Sequence, residues 1–264
     1  MDQILESAPR GEGTDADTIL RTDGLTKEFK GFKAVDGVRL NIKRGKIHAL
    51  IGPNGAGKTT CFNLLTKFLT PSAGTILYNG RNISGMHPAD VARLGLVRSF
   101  QISAVFPHLS VLENIRLALQ KRSGHSYAFW RPQKVLDHLN GEAAALAERV
   151  DLAHLLDTPA AELSYGRKRA LEIATTLALD PEMMLLDEPM AGMGHEDISR
   201  IAELIRDIGK TRTILMVEHN LSVVASLCHR ITVLARGKVL AEGDYATVSA
   251  DPRVVEAYIG GGHA

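Results

Sequence analysis

Cysteine, net charge and long apolar runs are what this chain has least of, and each shortage closes off a class of function. Only two cysteines occur in 264 residues, and Cys61 and Cys228 form no C-x-x-C pair. A disulfide framework or thiolate metal site is therefore not expected, and both read as buried small hydrophobes of a reducing cytosol. Thirty-one Lys plus Arg against 30 Asp plus Glu leave a formal charge of +1, too little to suggest a strongly electrostatic partner such as bulk nucleic acid. No apolar run reaches the roughly 18 residues of a membrane span. The N-terminal Met1–Arg10 lacks the basic start and apolar core of a signal peptide. The histidines show no metal-ligand spacing, and no Asn-Lys-x-Asp guanine-reading motif occurs. The remaining composition, 45% hydrophobic and 23% charged, is that of a soluble globular protein. Residues 1–18 are expected to form a flexible polar tail.

What is present is a complete phosphate-binding loop. Gly52, Pro53, Asn54, Gly55, Ala56, Gly57, Lys58 and Thr59 match G-x-x-x-x-G-K-[ST]. The apolar Lys46–Ile51 before it predicts a strand, and Thr60–Lys67 after it predicts the start of a helix, which is the context the motif requires. Glycines leave backbone N–H groups free to wrap phosphate oxygens, and the helix N-terminus adds positive potential there. Lys58 is expected to reach the β- and γ-phosphates and the Thr59 hydroxyl to ligate Mg²⁺.

Along the chain, residues 19–51 predict antiparallel strands, with Leu25–Phe29 and Val38–Ile42 strand-like and turn residues at Gly31 and Asp36-Gly37. Gly74–Gly80 and Leu96–Phe100 read as further strands, and His87–Asp90 as a helix start with Pro88 at its first position. From about 102 to 165 the pattern turns helical, with apolar residues three to four apart in Val111–Leu119 and Gln133–Val150. The basic, aromatic stretch Lys121–Pro132 between them, carrying Tyr127, Phe129 and Trp130, reads as a loop or insertion. After residue 166 strands and helices alternate: Met183–Asp187 and Thr213–Val217 as buried strands, Glu196–Gly209 and Leu221–Leu227 as helices, and a hairpin across Arg236-Gly237. The sum is an α/β core interrupted by a helical insertion.

The second half of a nucleotide site lies in that core. Asp187 ends an apolar strand, where it can hold a Mg²⁺ shell, and Glu188 follows where it can act as general base on water. Asp187 comes 129 positions after Lys58 (187 − 58), wider than simple GTPases and nucleotide kinases usually allow. Ser164, 23 positions before Asp187 (187 − 164), and Gly166 open a helix and offer a hydroxyl, free N–H groups and a helix dipole; plain N-capping by Ser164 explains the same residue. Gln101, after the strand ending at Phe100, can approach Mg²⁺ or the attacking water. His219, just after a buried strand, can meet the γ-phosphate and orient water beside Glu188, although a lone His at a strand end is often structural.

Taken together these residues resemble the ATP-binding subunit of an ABC transporter, over about residues 19 to 260. Gly52–Thr59 is similar to Walker A, Gln101 to the Q-loop, Leu163–Arg167 to the signature, Leu185–Glu188 to Walker B and His219 to the switch histidine. Phe29 looks like the aromatic that stacks on adenine; core packing is its other reading. Thr60 completes the phosphate-binding set. The resemblance implies a P-loop α/β fold: a RecA-like core with an antiparallel β subdomain at 19–101 and 166–264, and an inserted helical signature subdomain at 102–165. It implies ATP and Mg²⁺ as cofactors, with Glu188, His219 and Gln101 catalytic and Thr59, Gln101 and Asp187 around the metal. It further implies a head-to-tail dimer with a second ATP-binding subunit, identical or paralogous, in which Ser164 and Gly166 act on the partner's nucleotide. Two transmembrane permease subunits and, indirectly, an extracytoplasmic binding protein complete the set, placing the chain on the cytoplasmic face of the membrane without nucleic acid as a partner. The segment 102–109 is expected to line the groove for a coupling helix of the permease. Tyr165 and Arg167 replace the usual signature Gly and Gln, and 190–195 lacks the Asp common there. Both departures, and the C-terminal Glu256–Gly260, look like the branched-chain amino-acid uptake subfamily. Importers of urea or short-chain amides share many of these traits. A soluble ABC ATPase acting on DNA or ribosomes is disfavoured by the short interval and single cassette, and a non-catalytic scaffold by the intact Lys58, Asp187, Glu188 and His219.

Overall fold

The computed structural model describes residues 17–99, 105–122 and 137–260. Two sheets organise them. The first is antiparallel, in the order β2-β1-β5-β6 with β3 also on β1; its strands are β1 (Thr18–Phe29), β2 (Phe32–Val38), β3 (Asn41–Lys43), β5 (Ala73–Tyr78) and β6 (Arg81–Asn82). The second has six strands in the order β11-β10-β4-β9-β8-β7: β4 (Ile47–Ile51), β7 (Leu96–Ser99), β8 (Met183–Asp187), β9 (Thr213–Val217), β10 (Arg230–Ala235) and β11 (Lys238–Gly243). Five of these run parallel and β11 is antiparallel on β10. The helices are α1 (Lys58–Leu65), α2 (Pro88–Arg93), α3 (Val111–Arg122), α4 (Asn140–Arg149), α5 (Tyr165–Leu177), α6 (His195–Gly209), α7 (Leu221–Leu227), α8 (Tyr245–Ser249) and α9 (Pro252–Gly260).

The parallel strands are apolar throughout because both faces are covered. Along β8 and β9, Met183, Leu185, Leu215 and Val217 enter one core with α1 and the antiparallel sheet. Their neighbours Met184, Leu186, Ile214 and Met216 enter a second core with residues of α3 to α7. Residues alternate between the two cores with the period of two that a pleated strand imposes.

Three readings of the N-terminal strands need correction. β1 already includes Thr18, assigned above to the tail: it pairs with Lys43, and its hydroxyl donates to Asn41 Oδ1 at 2.9 Å. Val38–Ile42 is not one strand. The buried Thr22 hydroxyl donates to Val38 O at 3.0 Å and accepts from Leu40 N at 2.9 Å, so β2 and β3 meet different lengths of β1. Asp36-Gly37 lies inside β2 rather than in a turn; the pairing with β1 is irregular there, Gly37 has φ 66° and its N–H goes to Thr26 Oγ1 at 3.0 Å. That is a bulge, for which glycine supplies the positive φ. The Lys121–Pro132 insertion lies mostly outside the described residues, including Tyr127, Phe129 and Trp130.

Parallel strands end together, so the loops after β4, β8 and β9 open on one edge of the sheet. Sites form on this edge of open α/β sheets. It carries Gly52–Gly57, Asp187-Glu188 and Glu218-His219.

Candidate functional site

The phosphate loop follows β4, and its glycines are demanded by neighbours as well as by turns. A Cβ on Gly52 would lie 2.1 Å from Leu234 O, and one on Gly57, at φ 100°, would lie 2.4 Å from Ala34 O. Gly55, at φ 76°, faces open space. Ala56 is buried and its N–H closes a turn on Pro53 O at 3.2 Å, whereas Asn54 and Gly55 are exposed at the rim. α1 starts with no side-chain cap and no acid in its first turn, so its leading amides are available to an anion. Thr59 at its second position is exposed and Thr60 half-buried. Lys58 is buried, and its Nζ donates to Gly52 O at 2.7 Å and Pro53 O at 3.0 Å. Burial holds the Lys58 amine below its ordinary pKa, with Glu188 and Asp187 pulling the other way.

Asp187 ends β8 and is 2% exposed. Its Oδ2 accepts from Arg98 on β7, whose other guanidinium nitrogen donates to Asn63 Oδ1 at 2.5 Å. Arg98 also lies over the Phe62 ring, 5.8 Å from its centroid. Glu188 takes φ 47°, a left-handed backbone that costs about 1–3 kcal/mol outside glycine. That bend turns its carboxylate toward the next strand end, where Oε1 is 3.0 Å from His219 Nε2. A carboxylate able to accept a proton and an imidazole able to orient water are thus in direct contact, on the edge that carries Lys58.

Ser164 caps α5, accepting from Arg167 N at 3.5 Å, and is exposed. Gly166 is buried, and a Cβ there would fall 2.5 Å from the Asp197 carboxylate on α6, a flexible end that can move aside. Among the described residues, no hydrogen bond joins Ser164 or Gly166 to the Lys58 loop. Phe29 stands at the end of β1, opposite Phe32, with Lys27 Nζ 5.2 Å from its ring centroid. It is 43% exposed, which removes core packing as its reason. Gln101 lies outside the described residues.

Three charged residues at the site escaped the motif reading: Arg98, Arg169 and Glu218. Each is a buried ion in or beside an apolar run, which is the only trace such a residue leaves in a sequence.

The known proteins similar to this chain agree with the geometry. A family described as ABC transporter matches residues 35–191, and one described as branched-chain amino acid ATP-binding cassette transporter matches 238–264. The high-affinity branched-chain amino acid transport ATP-binding protein LivG of Salmonella typhimurium is 38% identical over 253 residues, covering 92% of this chain and 98% of its own length. The probable LivG of Methanocaldococcus jannaschii is 34% identical over 260 residues, covering 93% and 99%. Among solved structures, the ADP conformation of MJ1267, an ATP-binding cassette of an ABC transporter, superposes with a TM-score of 0.81 at 33% identity, covering 92% of this chain and 99% of that one. CbiO1 from Clostridium perfringens, part of the transporter complex cbiONQ, gives 0.75 at 28%, covering 91% and 94%. A phosphate loop, an acid pair and a histidine on one sheet edge, within a fold shared along almost the whole chain, leave one assignment: this chain belongs to the ABC transporter family, as one of its ATP-hydrolysing ATP-binding cassettes.

Proposed function

We propose that this cassette energises the uptake of branched-chain and other hydrophobic amino acids. The direct contact of Glu188 with His219 carries the hydrolytic part; the named relatives and the C-terminal match at 238–264 support the cargo. Members of this family work as dimers with membrane permease subunits. No helix among the described residues is long and apolar enough to cross a membrane, so in this reading the chain sits peripherally on the cytoplasmic face, held by two permease subunits.

In this reading Gly52–Thr60 wrap the phosphates, Lys58 exchanges its contacts with Gly52 O and Pro53 O for phosphate oxygens, and Phe29 stacks on adenine. The residues present suit Mg²⁺. Arg98 engages only Oδ2 of Asp187, the Thr59 hydroxyl is exposed, and no cluster of three acids, His or Cys that could form an all-protein cage occurs among the described residues. A nucleotide-borne Mg²⁺ uses few protein ligands, here Thr59, Asp187 and Gln101, and supplies neutralisation of phosphate charge. Glu188 takes the proton of the attacking water, and His219 holds that water and the γ-phosphate in line. Ser164 and Gly166, unconnected to the Lys58 loop of their own chain, act on the nucleotide of a second cassette docked head to tail. The division that follows is a core with its β subdomain, from Thr18 to 101 and at 166–264, and a helical subdomain at 102–165.

The coupling groove for the permease follows Gln101. Its described part is organised by the buried Asn114, which accepts from Phe106 N at 2.7 Å and donates to Phe106 O, Leu109 O and Ser110 O. Ser110 and Glu113 cap α3 reciprocally, at 2.9 and 3.2 Å. Phe106 is left 54% exposed.

Glu188→Gln tests the hydrolytic roles. Dimers stabilised by ATP with turnover nearly abolished are expected; full turnover overturns the general-base assignment. Competitive uptake of labelled leucine against urea, in cells with and without the gene, tests the cargo.

A further inference from the structure

The backbone of Asp187–Met190 is gripped from two sides by buried ions. Arg169, on α5, donates from Nη2 to Asp187 O at 2.8 Å and Glu188 O at 3.1 Å, and from Nε to Pro189 O at 3.2 Å. Its Nη1 is paired with Glu172 Oε2 at 2.7 Å, both side chains being under a tenth exposed. Glu218, 4% exposed, accepts from Met190 N at 3.0 Å on Oε1, and from His219 N at 2.8 Å and Asn220 N at 3.1 Å on Oε2. Burying an ion is costly unless its hydrogen bonds are complete. Here Glu218 and, beside its pairing with Glu172, Arg169 direct hydrogen bonds to the backbone of the residues that bracket the reaction.

That placement answers a specific need. Glu188 holds φ 47°, and a strained backbone of this kind persists only where its surroundings over-determine it. Its N–H is fixed on Val217 O at 2.9 Å, and its carbonyl takes Arg169 together with Ala191 N at 3.1 Å. A plain turn needs only the Ala191 bond; the guanidinium is additional. Glu218 is flanked by His219, so its carboxylate sets the His219 backbone and the Met190 backbone against a common anchor.

We propose that Arg169 and Glu218 are positioning residues for hydrolysis: Arg169 fixes the backbone of Glu188, Glu218 fixes that of His219, and together they keep the two reacting side chains in register. Arg169 stands on the helix that Ser164 caps. A partner pressing on the start of α5 is therefore transmitted to the Glu188 carbonyl through one side chain. This last link rests on the two-cassette reading above.

Two near-isosteric variants test it. Glu218→Gln offers an amide nitrogen where an oxygen accepted, and Arg169→Lys keeps the charge facing Glu172 while losing the fork of donors. Each is expected to lower kcat at least about tenfold with KM for ATP within about twofold of the parent, the signature of an interaction used in the transition state rather than in binding. ATP-driven dimerisation is expected to persist in both. Parent-like kcat in both variants overturns the inference, as does a fall in kcat matched by weaker ATP binding. If neither variant folds, the two ions are structural supports and the inference also fails. A parent chain without ATP turnover would instead sink the functional reading on which this one stands.

Discussion

His219 Nε2 and Glu188 Oε1 lie 3.0 Å apart, joining the ends of β9 and β8 through side chains 31 residues apart in sequence. Neither strand alone would bring them together. β8 and β9 pair in parallel with Asp187 opposite Val217, so the residue after each strand emerges on the same edge. The left-handed turn at Glu188 then swings its carboxylate across.

His219→Ala is expected to cost on the order of a hundredfold in kcat, the usual loss on removing a group that assists proton transfer, with ATP affinity little changed. Steady-state hydrolysis and equilibrium nucleotide binding on the same protein check it; a variant that hydrolyses at the parent rate removes His219 from the reaction.

Gly57→Ala puts a methyl 2.4 Å from Ala34 O at a residue with φ 100°. A loss of about 1–3 kcal/mol in stability is expected from the backbone strain, together with at least about tenfold weaker ATP binding because the amides that wrap phosphate are displaced. Urea unfolding and calorimetric titration measure the two effects.

Gly166→Ala separates packing from phosphate contact. The new methyl meets the Asp197 carboxylate, the flexible and part-exposed end of a side chain that can swing aside, so Gly166→Ala is expected to cost little once the helical gain of alanine is counted, and Asp197→Ala in the same chain to remove what cost remains. Coupling of this kind is what a double-mutant cycle detects. Additive losses would mean that the carboxylate is not what a side chain at 166 meets.

His48 makes the fold acid-sensitive. Its ring is 1% exposed and 2.8 Å from Thr232 Oγ1, and burial pushes its pKa down from 6.5 to about 3. Unfolded, an ordinary imidazole takes up its proton near 6.5; folded, it does so only near the lower value. The unfolded state therefore binds more protons between the two, and stability present above pH 6.5 falls as pH drops toward 3, by up to about 1.4 kcal/mol per pH unit. Glu or Asp titrations overlap the lower end, so the informative comparison is His48→Gln, whose urea midpoint is expected to hold steadier from pH 6.5 to 5 than that of the parent.

Lys67→Gly is expected to stabilise. Lys67 follows α1 at φ 64°, and its buried Nζ has no hydrogen-bond partner among the described residues. Relief of the backbone strain and of the desolvated amine, whose pKa burial lowers, outweighs the extra freedom of glycine in the unfolded chain, for a gain of about 1 kcal/mol. A lower melting temperature would show that the Lys67 stem contributes more by packing than its amine costs.

Legibility followed locality. The β4–loop–α1 unit was readable because strand, glycines, lysine and helix are contiguous, and each is required by its immediate neighbours. β8 and β9 were readable for a related reason: burial on both faces leaves an unbroken apolar run ending in polar residues. The gap at Arg39-Leu40 was not, because it depends on the Thr22 hydroxyl meeting Val38 and Leu40 across two strands. The exposure of Phe29 was equally open, since an aromatic at a strand end reads the same whether it enters a core or stands beside a ligand.

The order of elements and the residue types able to hold phosphate and activate water are properties of the sequence alone, because they arise from backbone donors and side chains at short, regular spacing. The contact of Glu188 with His219, the neutralisation of Asp187 by Arg98 and the grip of Arg169 and Glu218 on the intervening backbone were decided by the tertiary structure. Their partners are distant along the chain, and an ion becomes costly enough to dictate its neighbours only once folding has removed it from water.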